Sequence, residues 1–220
     1  VYAKNPQHPG AAHYLIHAYD DPVHAPLGLR YADAYAKIAP SASHALHMPS
    51  HIYFALGMWD EASQLNERSA RAADERVASK GLGVDDRGFH ALLWLVYGYT
   101  QQGRYDEAKA VLAQIEADAS KSGSVRTRSH MALARAAWLV ETRRWADAKT
   151  PVGATGLGPD AAAADLFAIG FAALKTGNRM GANNALQQMA TLAGDAPLEP
   201  HADHPGQPQA GLPVAGAGGD

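Results

Sequence analysis

The chain has 220 residues, no cysteine and a formal net charge of −3. That length supports one or two packed domains. The missing thiols exclude disulfides, thiolate metal sites, iron–sulfur clusters and covalent c-type haem, and the small charge supplies no field to attract nucleic acid or an acidic membrane. The longest apolar runs, ALLWLVYGY and ADLFAIGFAAL, fall short of the ~20 residues that cross a bilayer as a helix. The compartment stays open.

The chain starts at Val1 with no initiator Met and no signal-like segment, which reads as a processed form or an excerpt of a longer protein. In chain order, HPGAAHYLIH opens a helix with Pro9 in its first turn. HALHMPSHIY follows, with Pro49 inside an apolar helical pattern. Proline cannot bond to the carbonyl of Ala45, so a kink near Met48 is expected, with His47 kept in phase. Apolar residues recur at three and four throughout residues 1–194, and no period-2 strand pattern appears. The expectation is an all-α chain. The stretch TPVGATGLGP at 150–159 should stop a helix. Residues 195–220 are rich in Pro and Gly, lack large apolar side chains and should stay extended or disordered; His201 and His204 there join no site.

A punctuation recurs. GMWDEA ends at Ala62, GRYDEA at Ala108, RRWADA at Ala148 and GNRMGA at Ala182, the last without its aromatic. Each follows one helical run and starts another. Ala permits close approach of two helix backbones, and the aromatic fills the wedge beside it.

This pattern resembles the tetratricopeptide repeat, a helix–turn–helix unit of about 34 residues. Ala62 matches the family's central Ala, Tyr53 its first-helix aromatic and Trp59 its post-turn aromatic; Tyr99 and Tyr105 match in the next unit. In the first unit Gly28, Tyr19 and Pro40 take the small, aromatic and closing positions. Ala148 and Ala182 are one family unit apart, whereas the intervals from Ala62 to Ala108 and from Ala108 to Ala148 are longer, so the middle units are stretched. The HPGAAHYLIHAYD and HALHMPSHIYFALGMWDEA blocks also resemble a group of uncharacterised bacterial His-rich repeat proteins. The resemblance implies a right-handed α-solenoid of antiparallel helix hairpins, four to five repeats over residues 1–194, that binds a partner in its concave groove.

Histidines follow the repeat. His13 and His47 are one family unit apart, as are His17 and His51. His44, His90 and His130 precede their own central residues, Ala62, Ala108 and Ala148, by one and the same interval. His44, His47 and His51 share one helix face. The family resemblance places His13, His17, His47 and His51 on the inner wall, with His44 and His90 beside them. An i,i+4 pair on each of two packed helices, ~8–10 Å apart, can converge on one point. Four imidazoles, or three and water, suit Zn²⁺, Ni²⁺ or Cu²⁺, with Asp20 as a further ligand or as the partner of one.

Three functional readings follow. The first is an interaction scaffold for a peptide or protein segment, its groove lined by His44, His90, Tyr14, Tyr53, Tyr97 and Asp20. The second is a metal-binding protein or metalloenzyme centred on His13, His17, His47 and His51. A third is homomeric assembly through the solenoid ends. HYLIH lacks the Glu of a zincin helix, GATGLG lacks the Lys and Ser/Thr of a phosphate loop, and no acid is placed to orient a Ser–His pair. Arg126, Arg128, Arg135, Arg143 and Arg144 read as a solvated helix face, and LLWLVYGY as core and groove lining.

Overall fold

A computed structural model describes residues 1–38, 40–152 and 156–195. Among these residues all regular structure is helical and there is no strand. No described helix is long and apolar enough to cross a membrane. Of the expected tail, 195–220, Asp195 is the last residue of the helix Arg179–Asp195 rather than extended chain, and 196–220 lie outside the described residues.

The helices are α1 (Pro9–Ala18), α2 (Ala25–Ile38), α3 (Ser43–His47), α4 (Pro49–Ala55), α5 (Trp59–Lys80), α6 (Phe89–Gln101), α7 (Tyr105–Ala119), α8 (Val125–Thr142), α9 (Pro159–Lys175) and α10 (Arg179–Asp195). Each packs on its chain neighbour: α1 on α2, α4 on α5, α6 on α7, α9 on α10. Alternate helices also meet, α6 with α8 and α2 with α4, so helices of successive pairs form adjoining layers.

Missing side chains make these crossings possible. A Cβ on Gly28 of α2 would stand 2.7 Å from Ile52 Cδ1 and 3.0 Å from Tyr19 Cβ; one on Gly98 of α6 would stand 2.6 Å from Ser63 Oγ. Ala62 and Ala108 are fully buried at the matching places. Around them sit two apolar cores, one with Phe89, Leu95, Ile115 and Trp138, the other with Ile16, Tyr31, Met48 and Ile52.

The turns repeat in backbone as well as sequence. Gly57, Gly103 and Gly177 take the left-handed conformation one residue before the second helix's capping residue, with φ of 71°, 72° and 82°. The third turn uses Arg143 instead, at φ 54°. Its second helix is also reduced: after Arg143 and Arg144 only a 3₁₀ turn, Trp145–Asp147, forms, which corrects the expectation of a full helix there. Thr150 precedes Pro151, is biased away from helix by it, and Pro151 has no N–H to donate. Arg135 holds the chain just beyond this shortened segment, donating to the Thr150 carbonyl at 3.0 Å. Arg135 is therefore buried, not solvated as its neighbours suggested. The middle of the 150–159 stretch, 153–155, lies outside the described residues.

Pro49 breaks the ladder as its chemistry requires. α3 ends at His47, Met48 keeps helical angles (φ −52°, ψ −41°), and Pro49 is the first residue of α4. The Ser50 hydroxyl donates to the His47 carbonyl at 2.7 Å. The chain continues in phase across the break, as a kinked helix does.

Two substitutions test this packing. Gly170→Ala would push a Cβ to 2.8 Å from Ala185 Cβ at the α9–α10 crossing, and overpacking of this kind costs about 1–3 kcal/mol. Arg143→Gly relieves a left-handed backbone that costs a β-carbon-bearing residue roughly 1–2 kcal/mol, offset in part by glycine's unfolded-state entropy, for a net gain of about 0.5–1 kcal/mol. Denaturant midpoints should fall for the first and rise for the second.

Candidate metal centre

Imidazoles form a continuous file across successive helices. Ring centroids run His44–His13 5.0 Å, His13–His17 4.8 Å, His17–His51 6.3 Å, His51–His47 4.8 Å, His47–His90 4.5 Å and His90–His130 5.6 Å. α1 contributes His13 and His17, α3 His44 and His47, α4 His51, α6 His90 and α8 His130. The kink at Met48 keeps His47 and His51 side by side although they belong to different helical segments.

Hydrogen bonds set the tautomers at the centre of the file. His47 Nδ1 lies 2.7 Å from Asn66 Oδ1. The Asn66 amide is oriented by its own Nδ2 donating to the Ala62 carbonyl at 2.9 Å, so Oδ1 must accept and His47 Nδ1 must carry the proton. His51 Nδ1 lies 2.9 Å from Asp20 Oδ2, an acceptor only, so this nitrogen is protonated too. In the neutral rings both Nε2 atoms then present bare lone pairs, and they face each other 3.0 Å apart. Two lone pairs at that distance repel unless a cation or a proton lies between them.

His90 closes the group. One ligand atom from each of His47, His51 and His90 falls within 4.8 Å of the other two, and among the described residues this is the set of three or more His and acidic side chains that does so. His90 Nε2 accepts the Trp94 indole N–H at 3.2 Å, so that nitrogen is unprotonated, and Trp94 must release its single lone pair before it ligates a metal. Trp94 also stands beside His51, with centroids 5.4 Å apart, and forms the apolar side of the site together with Phe54.

The expected grouping thus changes. His13 and His17 do not join His47 and His51 in one set; they pair with each other, Nε2 to Nε2 at 2.9 Å, and His90, expected only as groove lining, takes the third place. His90 of α6 stands 4.5 Å from His47, whereas α1 reaches the His47–His51 pair through His17, 6.3 Å from His51. Asp20, expected beside the histidines, orients the His51 ring. Tyr53 and Tyr97 are buried in the core, at 7% and 5% exposure, and correct the expectation that they line a groove; Tyr53 donates its hydroxyl to Asp33. Tyr14 is largely exposed beside His13, and His44 is exposed at the end of the file. Asn66 and Trp94 escaped the sequence reading. Asn66 comes from the middle of α5 and bears no spacing relation to His47, while Trp94 sits one turn after His90 and was readable as its neighbour.

Electrostatics keep most of these rings neutral. Burial first, then the neighbouring rings, lowers the pKa of His13, His17 and His44, and lowers His47 furthest among these despite the Asn66 bond. Asp20 opposes the effect at His17. His90 falls to about 3 through burial, then His130, with Arg126 adding to it. His130 is lowered by burial, against its bond to the Arg126 carbonyl.

No known protein family, curated protein or solved structure matches the chain.

Depressed histidine pKa values bind fewer protons in the folded than in the unfolded chain, so stability rises with pH across that range. In chelator-treated protein it is fully present above the unfolded value of ~6.5 and is lost as pH falls toward the folded values. Thermal melts should be level from pH 8 to 7 and drop steadily from 6.5 to 5. The drop should be shallower in His90→Gln. A melting temperature level down to pH 5 would contradict the neutral file.

Proposed function

We propose that this chain is a metal-binding protein built on a tetratricopeptide-type helical scaffold, with His47, His51 and His90 holding one transition-metal ion. The observation that carries the reading is the pair of Nε2 atoms facing each other 3.0 Å apart while each ring's other nitrogen is committed to Asn66 or Asp20, which leaves the facing nitrogens a shared proton or a cation to hold. Two imidazole nitrogens bound tetrahedrally at ~2.0–2.1 Å would be separated by about 3.3 Å. Small ring movements reach that geometry. An imidazole set without thiolate suits Zn²⁺, Ni²⁺ or Cu²⁺. Three protein ligands leave a fourth position for water or an oxygen ligand, the arrangement of reactive rather than structural zinc.

The scaffold reading is supported by successive helix pairs, by close crossings at Gly28 and Ala62, and by left-handed residues recurring at the turns. A peptide groove has less behind it, because two of the three tyrosines it would use pack in the core. The imidazole file is the chemistry this part of the chain carries.

Protein purified without a His tag and dialysed against Zn²⁺, Ni²⁺ or Cu²⁺ should retain at least one equivalent by elemental analysis. His90→Ala should lose that ion. Asp20→Asn should weaken it by about 10–100-fold, since it loosens the ring's anchor and lowers its basicity. Affinity should fall as pH drops below ~6.5, where protons compete for the ring nitrogens. Wild-type protein that retains no metal, or whose affinity is unchanged in His90→Ala, overturns the proposal.

A further inference from the structure

We propose that a second, weaker ion binds beside the first, held by His13, His17 and His44, so that the file carries a pair of metal ions. This rests on the metal reading of His47, His51 and His90, and adds a site by the same construction. The first set is an i,i+4 pair in one repeat unit, His47 and His51, completed by His90 from the next. One repeat earlier, His13 and His17 hold the places of His47 and His51. His44 stands before Ala62 by the same interval that separates His90 from Ala108, so it holds in its unit the place that His90 holds in the next. The pair and ring-centroid distances follow the same plan, although the ligand atoms of His13, His17 and His44 do not all fall within 4.8 Å of one another as those of His47, His51 and His90 do. His13 Nε2 meets His17 Nε2 at 2.9 Å, against 3.0 Å for His47 and His51. The completing ring lies 5.0 Å from its pair in His44–His13 and 4.5 Å in His90–His47. No third site can be built this way, because the corresponding pair positions in the next unit are Leu93 and Tyr97.

The two sets touch. The His17 and His51 rings lie 6.3 Å apart. Asp20, bonded to His51, sits one turn after His17 on the same stretch of chain. It can therefore balance charge for both ions. The second site is the weaker for two reasons. The ligand atoms of His13, His17 and His44 do not already lie within 4.8 Å of one another, as those of His47, His51 and His90 do, so the His44 ring must turn to ligate. His13 and His17 also lack the Asn and Asp anchors that fix the tautomers of His47 and His51, so a shared proton satisfies the pair in the absence of metal.

Isothermal titration of chelator-treated, tag-free full chain with Zn²⁺ tests the pairing, with Co²⁺ absorption as a second readout. The expected result is two equivalents in two separable events. His13→Gln/His17→Gln and, separately, the exposed His44→Ala should remove or weaken the later event at least tenfold and leave the earlier one. His90→Ala should do the converse. His44 is exposed, so its removal reads out binding even if the double variant folds poorly. A single equivalent in wild type, abolished by His90→Ala, overturns the second site and leaves the first. Two equivalents unchanged in both His13→Gln/His17→Gln and His44→Ala also overturn it. No binding at all removes both proposals.

Discussion

Close approach of helix backbones is the constraint on which the rest of this structure depends. At Gly28, Gly88, Gly98 and Gly170 an added Cβ would fall within 2.6–3.1 Å of a neighbouring atom, tighter than ordinary van der Waals contact. Together with fully buried Ala62 and Ala108, these positions set the step from one helix layer to the next. The imidazole file inherits that step. Rings on α1, α3, α4, α6 and α8 meet at 4.5–6.3 Å only because their helices are held this near and in this phase.

The same packing makes the rings chemically competent. Burial and mutual repulsion hold most of them neutral, and a neutral imidazole can bind a cation without first losing a proton. Anchoring through Nδ1 then decides where the lone pairs point. His47 is anchored from α5 through Asn66, and His51 through Asp20, just past the end of α1. A buried ring with one nitrogen fixed by an acceptor has its other nitrogen's role determined as well. Separate helices thus converge on a single pair of facing nitrogens.

Much of the helical organisation was legible in the residues. Periodicity at three and four, the Gly–aromatic–Ala punctuation and Pro49 within its pattern all have counterparts in the described helices and in the break at Met48. The third turn was less legible, because RRWADA carries the local signature of a helix start and only the Thr150–Pro151 pair just downstream ends it at one 3₁₀ turn. Arg135 misled for a related reason: it belongs to a run of arginines, yet its long side chain is drawn inward by the carbonyl that the shortened segment leaves open. Tyr53 and Tyr97 look like groove residues by polarity, but an aromatic ring with one hydroxyl packs in a core whenever that hydroxyl reaches a partner, as Tyr53 reaches Asp33.

The sequence by itself determined that two histidine pairs recur at one interval: the equal spacings from His13 to His47 and from His17 to His51 are properties of the chain and persist however the helices pack. It also determined that no thiolate ligand is present, since there is no cysteine. Only the tertiary structure decided which rings share one point. That choice depends on how the helices pack, which brings His90 to 4.5 Å from His47 and His13 to His17, and on partners as remote along the chain as Asn66 and Asp20. Equal sequence spacing can align side chains in a column, whereas ligand convergence depends on small offsets between helices, and those are set by packing.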